Sequence, residues 1–383
     1  MRMIRAVAIM LTLTVTISLV GCVSYVDLSD RAIVQAIGID YLPEKKVYRI
    51  SVQYFNQSSE GGQNQIDKTQ DNVLKSVGEG ESIFEAAKNA SMLTGKDLLL
   101  SENRLIIIGK ELRKYKLCDT LEFFVGNYHS HPQAYVAAAE DTAEELLDIR
   151  FKEGSTSSQR LANLIHNASV ESRNKSTYPY QVMTMLCTST ESAFLPLLRI
   201  ATLKTDVTIP KETGGGKGNG GGEEQSEDGE KTIILDGGVV FKGGKELCRV
   251  DDDVAMAIFF MNDTPSEYSF TVPLGQNAKP SVTLIGVTRS IKATEYSGKV
   301  KFAVSFSASG KIGSKGGIKE DDKKAAEKVA EPAEMELKRK IESSVIPIAK
   351  KGCDVFGLEN TLRRCCNCLL YTSPSPRDTE RSR

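Results

Sequence analysis

Tryptophan is absent from this 383-residue chain, aromatic residues make up only 7%, and histidine occurs three times. So few rings argue against an aromatic-lined sugar groove. Neither sign of charge is in excess: 49 Lys and Arg against 50 Asp and Glu leave a formal net charge of −1. The basic face that a nucleic-acid partner requires is therefore missing, and no nucleic acid is expected as a partner. No run is as long and apolar as a membrane span, which takes about 20 residues. A Gly-x-Ser-x-Gly elbow, a His-Glu-x-x-His pair and a dinucleotide fingerprint are all lacking. The histidines do not make up for this. His129-Ser130-His131 precedes Pro132 and reads as a surface turn, and His166 is remote in sequence. No catalytic residue and no metal site are assigned, and the chain is read as something other than an enzyme.

What is present begins at the N-terminus. Arg2 and Arg5 precede an apolar stretch, Ala6 to Val20, broken only by Thr and Ser. It is too short to span a bilayer and suits a secretory signal. Leu19-Val20-Gly21-Cys22 closes it, and small residues just before a cysteine resemble the lipobox of bacterial lipoproteins. That resemblance implies lipidation of Cys22, removal of residues 1–21, and a mature protein tethered to the lipid bilayer. One acyl chain anchors marginally, so stable attachment needs at least two. The lipid is the only non-protein group expected; no cofactor is.

The other cysteines suggest less. Cys118, Cys187, Cys248 and Cys353 are scattered singly and read as small buried hydrophobes, with a structural bridge as the alternative. Cys365-Cys366-Asn367-Cys368 has the look of a metal cluster, but the string that follows is similar, residue for residue, to the translation of a transposon-end sequencing adapter. Residues 365–383 are accordingly expected to be a sequencing artefact, with the native C-terminal strand missing and a sheet edge left open.

Periodicity gives an α+β fold of several mixed domains. Val47 to Phe55 alternates as a half-buried strand. Residues 58–70 are polar and read as a loop. Ser82 and Glu85 form a capping-box pattern, and Phe84, Ala87, Ala90 and Leu93 recur at helical spacing. Leu105 to Ile108 and Tyr135 to Ala139 read as strands, and Leu117 to Val125 as a helix. Asp141 is expected to cap a short acidic helix, and Leu161, Leu164, Ile165 and Ala168 share a helical face. Ile37 and Ile39 alternate as buried positions; Gly38 permits close packing, and Asp40 is expected to end the strand with its carboxylate on nearby amides. Gly214 to Glu230 has no apolar residue to bury and reads as a spacer; its Lys217 lacks the Ser or Thr of a phosphate loop.

Beyond it, Thr232 to Lys242 and Leu247 to Val250 read as a hairpin. Asp251-Asp252-Asp253 opens a helix, where acidic residues suit the dipole, and does not follow calcium-loop spacing. Tyr268 to Val272, Ser281 to Thr294 and Lys299 to Ser309 are strand-like. A charged helical start at Glu320 is expected to be reset by Pro332, and the stretch bearing Leu337, Ile341, Val345 and Ile348 to kink or end at Pro347. The division that follows is 22–210, a linker at 211–231, a middle unit at 232–290, and an incomplete C-terminal unit at 291–364.

Several segments together resemble the spore germination receptor C-subunit, or Ger(x)C, lipoprotein family. They are Gly21-Cys22, Asp27 to Val34, Ala36 to Asp40 with Gly38 and Asp40 as its motif residues, Asn103 to Glu111, Pro132 to Ala139, Gly237 to Gly244 and Asp354 to Leu358. Departures are Tyr25 in place of a frequent Trp, the lengthened Gly-rich linker, and no final strand segment after Arg364. The resemblance implies an elongated protein of three mixed α/β domains. It also implies a non-catalytic, lipid-anchored subunit on the outer face of the inner spore membrane. Its partners there are an A and a B membrane subunit that together sense small nutrients. An exported solute-binding lipoprotein and a lipid-anchored hydrolase remain as alternatives; a deep polar cleft would favour the first, and a perturbed acid or base in a pocket the second.

Overall fold

The computed structural model describes residues 3–5, 9–10, 30–55, 73–115, 117–126, 130–149, 157–203, 230–275, 278–296, 299–319 and 321–365. Cys22, the 58–70 loop, His129, the Gly-rich spacer through residue 229 and residues 366–383 lie outside them.

Among the described residues, two sheets organise the chain. The first has nine strands. They are β1 (Arg31–Leu42), β2 (Val47–Phe55), β3 (Val73–Gly80), β4 (Asp97–Leu99), β5 (Leu105–Ile108), β6 (Tyr135–Ala139), β7 (Ser192–Leu203), β8 (Glu230–Lys242) and β9 (Lys245–Val250). Their spatial order is β3-β2-β1-β5-β6-β7-β8-β9, with β4 beside the start of β1. The centre, β1-β5-β6-β7, is parallel, and both flanks are antiparallel. Parallel neighbours need long crossovers, and helices supply them: α1 (Ile83–Thr94), α2 (Leu117–Gly126), α3 (Ala143–Asp148), α4 (Ser157–Val170) and α5 (Pro179–Leu186).

One face of the sheet packs against α1, α2 and α5, the other against α3 and α4. Ile106, Ile108, Val136 and Ala138 point into the first layer, and Leu105, Ile107, Ala137 and Ala139 into the second. Burial on both faces is why β5 is a run of four apolar residues without alternation.

Helix α1 turns a different face inward from the one its large residues suggest. Ile83, Ala86 and Ala90 are buried, while Phe84 and Leu93 are 67% and 75% exposed. The reason lies in β3. A Cβ on Gly78 would sit 2.2 Å from the Ala86 carbonyl oxygen, and one on Gly80 2.6 Å from the Ala86 nitrogen. Backbone lies on backbone there, and only the alanine side of α1 fits. The cap is close to the expected box: Ser82 Oγ accepts from the Glu85 amide at 3.1 Å, but Glu85 reaches back to the Glu81 amide at 2.9 Å.

The expected division at 211–231 is not where the structure divides. β8 pairs with β7 from Lys242–Ser192 to Glu230–Leu203, so β8 and β9 extend the first sheet and do not open a middle unit. No boundary falls between 290 and 291 either. The second sheet is β10 (Glu267–Thr271), β11 (Ser281–Tyr296) and β12 (Lys299–Ser314), and β11 crosses that point unbroken.

This sheet packs with α6 (Asp252–Asn262) and α7 (Asp322–Lys350); α8 (Leu358–Cys365) follows. Pro332 and Pro347 both lie inside α7, which neither resets nor ends at them. Each removes one backbone donor, but buried residues stand on both sides of each. Ala325 and Val329 precede Pro332, Ala333 and Ile341 follow it, and Ser344 and Ile348 flank Pro347. Burial on both sides holds the helix through the missing bonds. A separate apolar cluster joins the sheets, with Phe194, Val240 and Val250 meeting Ala255, Ile258 and Phe356.

Candidate functional site

Gly38 and Asp40 both lie within β1, which continues past Asp40 to pair Leu42 with Val47. A Cβ on Gly38 would lie 3.0 Å from Ala143 Cβ and 3.1 Å from Leu147 Cδ1, so the glycine admits α3 against the strand. Asp40 caps that helix from a distance in sequence. Its Oδ1 accepts from the Ala143 amide at 2.9 Å and its Oδ2 from the Glu144 amide at 3.1 Å. Thr142 Oγ1 takes the Glu145 amide, while Asp141, the expected cap, pairs with Lys110 at 3.1 Å. Burial pushes the Asp40 carboxyl above its ordinary 3.8, and the two amides pull against that. Gly109 completes the arrangement, since a Cβ there would fall 1.8 Å from Asp40 Oδ1.

Asp40→Ala strips two amides of their acceptor, at roughly 1–3 kcal/mol for each buried group left unpaired. We expect a lowered urea midpoint, with part of the loss restored in Asp40→Asn, which keeps one acceptor. An Asp40→Ala chain with the parent's midpoint would refute the capping role. Asp354 acts likewise on α8, accepting from the Leu358 and Glu359 amides at 2.9 and 2.7 Å.

Open α/β sheets hold ligands at the carboxyl ends of their parallel strands. Here those ends are filled by the chain's own side chains. Past the end of β6, Glu140 bonds Arg249 at 2.5 Å, and Asp236 bonds both Arg249 and Arg199, at 2.5 and 2.7 Å. The two acids and two arginines balance. Buried Arg113 donates to the Glu140 carbonyl at 3.4 Å and faces Glu246 at 3.5 Å.

No group of three metal-ligating side chains occurs among the described residues. Cys118, Cys187, Cys248 and Cys353 are free; Cys353 is buried and Cys187 exposed, contrary to the expectation of burial throughout. Each aspartate of the 251–253 triplet has a structural partner. Asp251 caps α6 by accepting from the Val254 amide at 2.9 Å, Asp252 accepts from the Gly237 amide at 2.7 Å, and Asp253 pairs with Lys340 at 2.5 Å. His131 Nδ1 accepts from the Gln133 amide in a turn, and His166 bonds the Tyr135 hydroxyl at 3.0 Å.

Sequence reasoning missed the joint between the two sheets. Residues 171–177, after α4, carry Asn174 and Lys175 into it, 2% and 6% exposed. Asn174 Nδ2 donates to the Gly237 carbonyl at 2.7 Å, and Lys175 Nζ to Asp263 Oδ2 at 2.6 Å. Only a polar stretch between two helices marks this loop in sequence.

Between α7 and the inner face of the second sheet runs an apolar groove of about 960 Å³, lined by Phe302, Val304, Phe306, Val329, Leu337 and Ile341 among others. Among the described residues no strand pairs with the outer edge of β12. Lys301 and Lys311 stand exposed along β12, charges of the kind that discourage edge-to-edge pairing. No described helix is long and apolar enough to cross a membrane.

With this geometry in hand, the comparisons with known proteins bear on the whole chain. The family described as spore germination protein, N-terminal domain, matches residues 24–200, and the one described as spore germination B3/GerAC like, C-terminal, matches residues 236–366. The chain belongs to the spore germination receptor C-subunit family. Membership gives it a role in spore germination, in assembly with other receptor subunits and in association with a membrane. The crystal structure of the GerBC protein is similar at 12% identity, with a TM-score of 0.44 and 86% of each chain covered. No curated protein matches. The family's two segments meet inside the first sheet: the C-terminal one starts at residue 236, within β8, whose neighbour β7 includes the end of the N-terminal one.

Proposed function

We propose that the chain is the lipid-anchored, non-catalytic C subunit of a nutrient germinant receptor. Cys22 carries the lipid on the outer face of the inner spore membrane, beside A and B membrane subunits. The observation that carries this reading is an order of features: a lipobox ending at Cys22, then the family's N-terminal segment from residue 24, then its C-terminal segment. Assembly and not chemistry is favoured by the strand ends of the first sheet, where Asp40 and the Glu140–Arg249–Asp236–Arg199 cluster take the place a substrate would need. Gly38 and Asp40 then serve the fold, and the covalent lipid is the only added group required.

Cys22→Ala tests the anchor. We expect the protein to leave the membrane fraction or to keep its signal segment uncleaved, and nutrient-triggered germination to fall by at least tenfold. Co-isolation of the two membrane subunits should fall with it. An alanine variant still membrane-bound, with a normally cut N-terminus, would exclude lipidation at Cys22.

A further inference from the structure

A second pocket, of about 340 Å³, lies where the end of α6 meets β11 and α8, and its character is opposite to that of the groove. Asn262, Arg289, Gly357, Asn360, Thr361 and Arg364 line it. Arg289 comes from β11, and its Nη1 donates to the Phe260 and Asp263 carbonyls at 3.2 and 3.3 Å. Those bonds fix the guanidinium at the pocket wall. A guanidinium has five N–H donors in a rigid fork, and the Nε and Nη2 of Arg289 have no partner among the described residues.

Arg364 reaches the same space from α8. Its positive charge repels that of Arg289, whose charged form burial already disfavours. The carboxylate that favours the Arg289 charge is Asp263, and it is already bonded to Lys175 at 2.6 Å. Among the described residues that line the pocket, two are cations and none is a carboxylate. Asn360 and Thr361, one turn before Arg364, make no side-chain hydrogen bond with another described residue. Two guanidinium groups facing one small polar pocket repel each other until an anion lies between them, and the fork geometry suits planar or tetrahedral oxyanions.

We propose that this pocket binds a compact dianion, a phosphate group or a small dicarboxylate, through Arg289 and Arg364 with Asn360 and Thr361 as added donors. The site does not depend on the germination reading. It requires only that α8 stays docked on α6 and β11, as Asp354 and the bond from Asn262 Nδ2 to the Val355 carbonyl at 2.7 Å hold it.

Calorimetric titration of the full chain at fixed ionic strength, with inorganic phosphate or malonate exchanged for chloride, tests the proposal. At least one of the two should bind, and Arg364→Ala should weaken that binding at least tenfold. Because Arg364 is exposed, its loss leaves the fold intact, which an unchanged unfolding midpoint would verify. Arg289→Lys keeps the charge without the fork and should also weaken binding, whereas Lys338→Ala, in the apolar groove, should leave it unchanged. Phosphate binding alone assigns the site to phosphoryl groups, and malonate binding alone assigns it to dicarboxylates. If the parent chain binds neither, or if Arg364→Ala binds as well as the parent, the proposal is wrong.

Discussion

Gly237→Ala is expected to cost the folded chain about 4 kcal/mol, a loss that only a few kinds of single substitution produce. Gly237 sits at φ +59, where any residue with a Cβ is disfavoured by roughly 1–2 kcal/mol. It also lies where the β7–β8 register shifts, between the Pro196–Gly238 and Leu198–Leu235 pairs, as a glycine in a bulge does. A Cβ there would fall 2.0 Å from the Val250 carbonyl oxygen and 2.8 Å from Asp251 Cα. Both are backbone atoms at the junction of β9 and α6, so nothing can yield without opening it. The Gly237 amide and carbonyl hold Asp252 and Asn174, and both bonds should fail together. Urea unfolding should show the drop, with the second sheet affected as strongly as the first. A variant whose midpoint lies close to the parent's would rule out this account of the joint.

Asp263→Ala is expected to cost about 3 kcal/mol. Lys175 has 8% of its side chain exposed, and its ammonium is matched by Asp263 at 2.6 Å. Removing one partner of a buried pair leaves an uncompensated charge, the costly case. The reverse substitution should be mild, because Asp263 is 43% exposed and water can solvate it once Lys175 is gone. Lys175→Met is therefore expected to cost well under half as much as Asp263→Ala. Equal costs would mean that the pair is held as a surface salt bridge is, and that the joint does not bury it.

The elements themselves were legible, because their signals are local. Val47–Phe55 and Tyr135–Ala139 have the predicted bounds, and the hairpin from Thr232 to Val250 lies where its glycine turn indicates. What could not be read depends on partners far away in sequence. Phe84 and Leu93 form a plausible inward face until Gly78 and Gly80 bring β3 too close for large side chains. Asp141 is well placed to cap α3 by spacing alone, but Asp40 arrives a hundred residues earlier and takes the amides. Pro332 breaks helices in isolation and not in one buried on both sides of it. The composition shift at Gly214 suggested a linker at 211–231, and sheet pairing across it is invisible without knowledge of which strands are neighbours. Gly38 and Asp40 were singled out from their pattern; Arg289 and Arg364, 75 positions apart, carry no pattern that would join them.

The position of β1 in the first sheet has a mechanical consequence. It begins nine residues after Cys22 and lies inside the sheet, with β2 along one side and β5 along the other. If Cys22 holds the chain to a membrane, a pull on the tether is delivered to the start of β1. The load then meets β4 at Arg31–Ile33 and, farther along, β2 and β5 on the two sides of the strand, where an edge strand would have one neighbour. The protein would grip its anchor through the strand best able to bear tension, and displacement of the membrane would reach the sheet as a whole.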